Sequence, residues 1–334
     1  MGSGAIPVVD LGEALRPGGA RTHAVARQIH AAATGSGFFY AVGHGVPGEL
    51  VVRQFAAARA FFELPQAAKL AVALGKSSAM RGYESIGEQQ LDGDARPDLK
   101  ESFYCGLEHG PDHPYVRKGY QSYGANTWPA ELPQLARQSG DYVAAMRALA
   151  ERLMQLLALS LDLPEAQFDA VMREPMITLR LLRYPPHPAD ADALTFGAGA
   201  HTDWGAITIL AQDDFGGLEV RLPDGAWAPA TPIPGSFVVN LGDMIPRWTN
   251  GLYHSNPHRV RNVSSGGRPR HSIPFFYSPD YEARVEALPG TVAPGERPKS
   301  EPCTAGEHLR EMAERTYGVS RRRGAGAVPV PAGG

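Results

Sequence analysis

The 334-residue sequence has only two cysteines, Cys105 and Cys303, and almost no excess of either charge. Two thiols are too few for the disulfide framework of a small secreted domain, and they suit a reducing compartment. Lys plus Arg number 32 and Asp plus Glu number 35, so the net charge is −3. This balance excludes a general affinity for nucleic acid or for an anionic membrane, and it favours a small-molecule partner.

Long apolar runs are also missing from the chain. No uninterrupted apolar stretch reaches the ~18 residues that a membrane span requires, and no basic segment followed by an apolar one opens the sequence. We therefore expect no membrane partner and a cytoplasmic location. Composition leaves the oligomeric state open between monomer and dimer.

The first half of the chain is dominated by helical periodicity. Apolar residues recur at helical spacing over 21–33, 48–62 and 141–161, and a shorter helix is predicted over 165–173. Residues 6–10, 37–42 and 100–106 have the composition of strands. The rest of 76–130 is rich in Gly and Pro, which predicts long loops of the kind that often form substrate pockets.

From residue 176 the pattern changes to short strands separated by Gly and Pro. They are predicted over 176–184, 207–211, 217–221, 237–241, 259–263 and 269–277, with a last helix over 307–317. Such spacing is typical of an antiparallel sandwich or jelly roll. The predicted fold class is mixed α and β, with a jelly-roll (double-stranded β-helix) core supported by N-terminal and central helices.

These elements are predicted to form a single domain over 1–320. Its helical and loop part is expected over 1–130 and its jelly-roll core over 175–280. The remaining residues, 321–334, are rich in Arg, Gly, Ala and Pro and are expected to be a disordered tail.

Two histidines and an aspartate have the residue types and the spacing of an iron site. His201 and Asp203 are two residues apart, so on a strand both side chains point to one face and can bind one ion. His258 must return from a distant strand. His254 competes for this third position, but Asn256-Pro257 forbids the helix that would place 254 and 258 on one face. Two imidazoles and a carboxylate on one face of an octahedron leave three positions open for chemistry.

A second pair with the same spacing, Arg270 and Ser272, is suited to binding a carboxylate through a guanidinium fork and a hydroxyl. Arg is usually a surface cation, but the apolar run 273–277 marks a buried strand, where a charge needs a partner. Tyr184 can add a hydroxyl from another strand. Arg180 shares its face and is either a second cation in the pocket or half of a structural ion pair.

In this order and spacing the motifs resemble those of the iron(II)- and 2-oxoglutarate-dependent dioxygenases of the isopenicillin N synthase-like superfamily, over nearly the whole chain. The matching pieces are Ile6-Pro7-Val8-Val9-Asp10-Leu11, Gly37-Phe38-Phe39-Tyr40, Gly43-His44-Gly45-Val46-Pro47, Tyr184-Pro185-Pro186, the triad His201, Asp203 and His258, and Arg270-x-Ser272 followed by Ile273-Pro274-Phe275-Phe276. One departure is Leu182, which stands where many plant members have Asn.

The resemblance implies an oxidoreductase that uses Fe(II), 2-oxoglutarate and O2, with ascorbate as a helpful additive in vitro. It implies that the metal ligands are His201, Asp203 and His258, and that Arg270 and Ser272 bind 2-oxoglutarate. Tyr184 and Arg180 are added as candidate 2-oxoglutarate residues from their positions on the neighbouring strand. The implied reaction hydroxylates, desaturates or cyclises an unactivated C–H bond of a small molecule in secondary metabolism. Succinate and CO2 are its co-products.

Three alternatives remain open at this point. An oxidase of the same superfamily keeps the Arg-x-Ser pair but binds its own substrate's carboxylate there, without 2-oxoglutarate. A non-catalytic jelly-roll binding protein would not need both the triad and the Arg-x-Ser pair. Residues 43–48 match the dinucleotide fingerprint G-x-G-x-x-G, but no second strand ending in an acidic residue follows about twenty residues later.

The substrate pocket is the least constrained part of the site. Apolar and aromatic side chains with a few polar groups usually line such pockets. The candidates are Arg81, Tyr83, Phe103, Trp204, Ile207, Trp248 and Phe276. Because Gly205 permits a bulge or a tight turn, we expect the Trp204 indole at the pocket mouth, beside the loop of Arg81 and Tyr83.

Overall fold

A computed structural model describes residues 6–19, 21–186, 194–261 and 267–323, in which most of the helices precede most of the strands. The helices are α1 (Thr22–Thr34), α2 (Gly48–Phe62), α3 (Gln66–Ala71), α4 (Pro114–Arg117), α5 (Gln134–Leu159), α6 (Met244–Trp248) and α7 (Ala305–Arg323). The strands are β1 (Val8–Asp10), β2 (Phe38–Val42), β3 (Gly82–Glu84), β4 (Glu101–Cys105), β5 (Met176–Tyr184), β6 (Ala198–His201), β7 (Ile207–Gln212), β8 (Leu218–Arg221), β9 (Trp227–Pro229), β10 (Phe237–Leu241), β11 (His258–Val260), β12 (Arg270–Ser278), β13 (Arg284–Val285) and β14 (Cys303–Thr304).

Two sheets form the centre of the protein. The larger has eight strands in the order β1-β2-β10-β7-β12-β5-β4-β3, and the smaller has four in the order β6-β11-β8-β9. Neighbouring strands are antiparallel except β1 and β2, which are parallel. Strands β13 and β14 pair separately. The predicted mixed α and β fold with a jelly-roll core is confirmed.

The outer face of the large sheet packs against helices. On β12 the alternate residues Ile273, Phe275 and Tyr277 are fully buried and share one apolar core with Met146 and Leu153 of α5. Burial of each such side chain stabilises the fold by roughly 1.5–3 kcal/mol. The period-3.6 stripe of α5 is therefore core, as its sequence predicts.

The inner face of the large sheet faces the small sheet across a second apolar core. Phe38, Leu182 and Val238 from the large sheet pack there with Val220 and Val260 from the small one. Because side chains alternate along a strand, the residues between the apolar outer-face positions of β12 also point into this space. The candidate site lies between the two sheets.

Element bounds match the sequence predictions best where the periodicity is uninterrupted, as in α2, β5 and β10. Helix α5 begins at Gln134, before the predicted residue 141, because Leu135 already packs in the core. The helix predicted over 165–173 is wrong, since only a 3-10 turn forms there, at Asp169–Met172. Helix α7 extends to Arg323, so it includes the first residues of the predicted tail, and 324–334 lie outside the described residues.

None of the helices within the described ranges combines the length and the apolar character that crossing a bilayer requires.

Candidate functional site

Three side chains from two separate segments of the chain converge between the sheets. His201 ends β6, His258 begins β11, and the two residues are register partners in the small sheet. Their ring centroids are 4.3 Å apart. Asp203 Oδ1 lies 3.9 Å from His201 Nε2 and 3.7 Å from His258 Nε2. Two nitrogens and one carboxylate oxygen thus surround a single point, as binding of one metal ion requires.

Backbone carbonyls set the tautomer of both histidines. His201 Nδ1 lies 2.7 Å from the carbonyl of Gly199, and His258 Nδ1 lies 3.4 Å from that of Asn256. Because a carbonyl only accepts, each Nδ1 carries the proton and donates it. The lone pair is then on Nε2, the atom that faces Asp203, which is the arrangement that a metal needs.

Hydrogen bonds also orient the carboxylate of Asp203. Its Oδ2 accepts from Thr208 Oγ1 at 2.6 Å and from Asn240 Nδ2 at 2.7 Å, and Oδ1 is left for the histidines. Thr208 on β7 and Asn240 on β10 are register partners, so their side chains emerge side by side. Sequence analysis missed both residues, because strand register cannot be deduced from their positions in the chain.

The environment holds the ligands in their metal-binding protonation states. Burial, together with the neighbouring His258, lowers the pKa of His201 to about 3. Burial alone would raise the pKa of Asp203, but the two histidines and the hydrogen bonds from Thr208 and Asn240 outweigh it, so this pKa is lowered. At neutral pH the site therefore presents a neutral His201 and an ionised carboxylate, and no proton has to leave either group before metal binds.

His201 and Asp203 are predicted to lie together because they share one face of a strand, and this reason is wrong. Asp203 lies beyond the end of β6, where the chain crosses from the small sheet to β7 of the large sheet. The crossing packs tightly, since a Cβ on Gly205 would stand 2.1 Å from Ser278 Oγ. From α7, His308 Nε2 lies 3.1 Å from the carbonyl of Trp204 and ties the helix to this segment. The two ligands meet because the chain changes sheets, not because residues alternate along one strand.

A second cluster among the described residues, His109, His113 and Glu174, has the residue types of a metal site but the wrong tautomer. His113 Nδ1 accepts the backbone N–H of Tyr115 at 3.2 Å. The neutral ring then carries its proton on Nε2, the atom 3.5 Å from Glu174 Oε2. That nitrogen has no lone pair for a metal, so the triad between the sheets is the better centre.

Arg270 is a buried cation that forms no ion pair within the described residues, although the nearby Asp213 feels its charge. Arg270 is 4% exposed, and Nη1 and Nη2 bond to the neutral oxygens of Ser272 (3.3 Å) and Gln212 (3.1 Å). Its buried Nε has no partner, and no ion pair to it occurs within the described ranges. The face of the Tyr184 ring lies 4.8 Å from the guanidinium carbon. A buried guanidinium without an ion pair is suited to an anionic ligand, and the distal carboxylate of 2-oxoglutarate fits it.

Strand register accounts for this group of side chains. Ser272 on β12 pairs with Gln212 of β7 on one side and with Leu182 of β5 on the other. Gln212 was not predicted, since only the register brings it to Ser272. Leu182, at the position where the resemblance departs from many plant members, packs in the apolar core between the sheets.

Two roles are predicted for Arg180, a contact with 2-oxoglutarate or a structural ion pair. The structure shows the ion pair. Arg180 Nη2 lies 2.8 Å from Glu84 Oε2, from Gln89 Oε1 and from Ser102 Oγ. The ring of Tyr104 lies 4.5 Å from its guanidinium carbon. Because its charge is matched by Glu84, Arg180 is not available to a co-substrate in the way that Arg270 is.

Several predicted pocket residues lie on the wrong face of the large sheet. Phe103, Ile207 and Trp248 are buried in the core between the sheet and the helices, where Phe103 packs 4.4 Å from Phe61 and Trp248 packs 4.8 Å from Phe168. The prediction that they line the pocket is wrong. Both faces of this sheet are apolar, so hydrophobicity alone cannot distinguish them.

Tyr83 and Arg81 need the same correction. The Tyr83 hydroxyl donates to Glu101 at 2.7 Å and its ring packs on the helical side. Arg81 is fully buried and donates to the carbonyls of Ser122 and Ile177 at 2.9 and 3.1 Å. Burial lowers the pKa of Arg81 to about 10. Both side chains hold the structure together, and neither is free to line the pocket mouth at which the Trp204 indole is expected.

Of the predicted pocket residues, Phe276 and Trp204 lie near the triad. Phe276 is half-buried and pairs in register with Thr208, whose hydroxyl bonds to Asp203. Since register partners share a face, Phe276 points to the metal side of the sheet. Trp204 is half-buried, directly after Asp203.

Comparisons with known proteins agree with this geometry. A family model described as non-haem dioxygenase in morphine synthesis N-terminal matches residues 6–131, and the model of the 2OG-Fe(II) oxygenase superfamily matches residues 174–279. A 2-oxoglutarate-Fe(II) type oxidoreductase of Emericella nidulans is 40% identical over 323 residues, covering 95% of this chain and 92% of that protein. A homoarginine-6-hydroxylase of Glycine max is 36% identical over 270 residues, covering 79% and 80% of the two chains.

Solved structures give the same result. A full-length Neurospora crassa protein in complex with alpha-KG, which is 2-oxoglutarate, has a TM-score of 0.82 and 30% identity, covering 92% of this chain and 96% of that one. Its complex with alpha-KG and thymine has a TM-score of 0.81 and 29% identity, covering 94% and 96%. With the His-Asp-His site and the buried Arg270 in place, the chain belongs to the Fe(II)- and 2-oxoglutarate-dependent oxygenases and is an oxidoreductase of that class.

Proposed function

We propose that His201, Asp203 and His258 are the iron ligands and that Arg270 and Ser272 bind the distal carboxylate of 2-oxoglutarate. The observation that supports this most strongly is the buried Arg270 without an ion pair, in the same inter-sheet space as the triad. A dicarboxylate with one end at Arg270 and the other at the metal would satisfy both sites. We add Gln212 to the co-substrate residues, because its amide oxygen orients the guanidinium.

The residues of the chain have separate tasks in the proposed reaction. His201, His258 and the ionised Asp203 would hold the metal, and Thr208 and Asn240 keep Asp203 Oδ2 engaged so that Oδ1 is left for the ion. Arg270 fixes the co-substrate in one orientation. Phe38, whose ring lies edge-on 5.4 Å from His258, covers one side of the centre with apolar surface. Bound iron(II) and 2-oxoglutarate supply the activation of dioxygen and the electrons released by oxidative decarboxylation.

The balanced reaction takes a substrate C–H bond, 2-oxoglutarate and O2 to the C–OH product, succinate and CO2. One oxygen atom enters the product and the other enters succinate. An oxidase of the same superfamily would take its electrons from the substrate and need no 2-oxoglutarate.

Succinate formation tests this function. We expect protein freed of 2-oxo acids by dialysis and reloaded with Fe(II) to consume O2 and form succinate only when 2-oxoglutarate is added. Slow turnover without substrate suffices, because the metal and co-substrate sites are complete without it. Turnover at an undiminished rate in the dialysed protein without any 2-oxo acid would favour the oxidase. Absence of iron binding and of succinate under all conditions would favour the non-catalytic binding protein.

We propose that the substrate is a small molecule that contacts Phe276 and Trp204. Phe276 shares the sheet face of Thr208, and Trp204 adjoins Asp203, so both lie near the metal. The Neurospora crassa neighbour binds thymine, a flat polar ring, which is the kind of ligand that an aromatic side chain can stack on. Secondary metabolism remains a prediction for the pathway.

Small molecules, thymine among them, are screened for those that speed up succinate formation. A substrate found in this way allows the predicted pocket to be tested. Phe276→Ala is then expected to raise its KM about tenfold, from the ~0.5–1.5 kcal/mol of an aromatic pair plus lost apolar contact. Succinate formation without substrate should stay at the wild-type rate. Phe103→Leu, on the opposite face of the sheet, is the matched control, and an equal rise of KM in that variant would contradict the placement.

We further propose that the protein works in the reducing cytoplasm. Cys105 is buried and Cys303 is half-buried, and both are free thiols.

A further inference from the structure

The strand that carries His201 lies at the edge of the small sheet and is flanked by a segment that precedes β4. β6 pairs with β11 on one side only. On its other side the Leu99 amide donates to the carbonyl of Phe196 at 2.9 Å, and the Gly199 amide donates to Asp98 Oδ1 at 3.0 Å. The Asp98 carboxylate therefore accepts the hydrogen bond of the Gly199 amide. In a sheet with one more strand, a backbone carbonyl would accept that bond.

Asp98 is fixed from its other oxygen as well. Oδ2 contacts the ammonium of Lys100, and the two residues are 1% and 3% exposed. Burial lowers the pKa of Lys100, and the facing Asp98 opposes that shift. A buried ion pair adds little net stability, because desolvation offsets the attraction, so its presence points to a geometric role. Both oxygens of Asp98 are used, and the carboxylate has one orientation.

Gly199 connects this pair to the triad. Its amide is held by Asp98, and its carbonyl lies 2.7 Å from His201 Nδ1. The second contact sets the tautomer and the ring orientation of the metal ligand. A Cβ on Gly199 would stand 2.9 Å from the backbone nitrogen of Asp92, so the flanking segment packs directly on this residue. One residue thus joins the buried ion pair to the imidazole.

We propose that Asp98, held by Lys100, is a positioning residue for the metal ligand His201 and acts through Gly199. Holding the Gly199 amide, with Asp92 packed against the same residue, restricts the backbone at Gly199 and so the direction of its carbonyl, which orients the imidazole so that Nε2 faces Asp203 Oδ1. The inference rests on the proposed function only in taking His201 as a metal ligand. It assigns a task in metal binding to a side chain that touches neither metal nor co-substrate.

Two double variants separate the hydrogen bond from the ion pair. Asp98→Asn with Lys100→Met removes both charges but keeps an oxygen for the Gly199 amide. Asp98→Ala with Lys100→Met removes the charges and that oxygen. Co(II), which is not readily oxidised in air, is titrated calorimetrically into the metal-free proteins without 2-oxoglutarate, at a temperature where circular dichroism shows all of them folded. We expect the Ala variant to raise the Co(II) Kd about 10- to 100-fold relative to the Asn variant. Equal Kd values in the two variants would overturn the proposal.

A single variant covers the case in which the Ala variant does not fold. Asp98→Glu keeps the charge facing Lys100 but moves the carboxylate by one methylene group, so the bond to the Gly199 amide is misplaced. Its Co(II) Kd should rise about tenfold, and its visible Co(II) absorption should change because the ligand geometry changes. A wild-type Kd and spectrum in this variant would contradict the proposal.

Asp203→Ala distinguishes failure of this proposal from failure of the metal-site assignment. If Asp203→Ala binds Co(II) as the wild type does, the triad is not the metal site. If Asp203→Ala loses Co(II) and the two double variants bind it equally, the triad stands and the positioning role of Asp98 is wrong.

Discussion

Replacing Asp203 by Ala is expected to abolish iron binding and turnover while the protein stays folded. The variant removes the one anionic donor of the triad and leaves only the two imidazoles facing each other. The loss of metal affinity should exceed the roughly 10- to 100-fold that follows removal of an outer hydrogen-bond partner of a ligand. Thr208 and Asn240 lose their acceptor, so the free energy of unfolding should fall by about 1–3 kcal/mol.

Iron content after reconstitution, succinate formation and a urea unfolding curve measure these three effects. Asp280→Asn is the matched control, since Asp280 accepts the backbone N–H of Glu174 and has no contact with the triad. A vacated ligand position can be filled by a small anion, so the assay is run both without and with added formate. Partial recovery in formate would support the assignment, and full turnover of Asp203→Ala in formate-free buffer would contradict it.

Arg270→Lys is expected to raise the KM for 2-oxoglutarate about 10- to 100-fold, which corresponds to losing about one charge-assisted hydrogen bond of ~1.5–3 kcal/mol. An ammonium is a point charge, so it cannot place two parallel N–H groups on a carboxylate while also bonding to Ser272 and Gln212. It also loses the contact with the face of Tyr184.

Arg180→Lys is the control for this experiment, because Arg180 is paired with Glu84 and Ser102. Its KM for 2-oxoglutarate should stay within about threefold of the wild type, since its ion pair is structural and not part of the co-substrate site. An equal rise of KM in both variants would mean that Arg180 also contacts the co-substrate. A wild-type KM in Arg270→Lys would remove Arg270 from the co-substrate site.

The parts of the fold that sequence predicts well are those fixed by local pattern. β5 and β10 carry dense apolar and β-branched residues, and α2 keeps its helical period without a break, so their bounds follow from the chain alone. β6 was missed because its sequence, Ala-Gly-Ala-His, has no apolar pattern, and pairing with β11 is what makes it a strand. Tertiary contacts decide such a segment.

The same distinction applies to the site. Residue type and spacing point to His201, Asp203, His258, Arg270 and Ser272, because metal and carboxylate chemistry restrict the choice of side chain. Gln212 and Asn240 join them only through strand register, which depends on pairing across distant parts of the chain. Arg180 could not be assigned because its partner Glu84 comes from a strand almost a hundred residues away.

The pocket predictions failed for a related reason. Phe103 and Ile207 have the character of pocket residues, and they lie on a sheet that is buried on both faces. Alternation shows which residues share a face, but not which face meets the helices. Phe276 could be placed near the metal only after its pairing with Thr208 was known.

An anaerobic titration tests most directly whether the triad and Arg270 form one iron and 2-oxoglutarate site. Fe(II) and then 2-oxoglutarate are added to metal-free protein, and the visible absorption that arises when the 2-oxo acid chelates ferrous iron is recorded. The structure predicts one iron per chain, a band that saturates with 2-oxoglutarate in the wild type, no band in Asp203→Ala, and saturation at higher 2-oxoglutarate concentration in Arg270→Lys. A band of wild-type intensity in Asp203→Ala, or identical saturation in Arg270→Lys, would contradict the assignment.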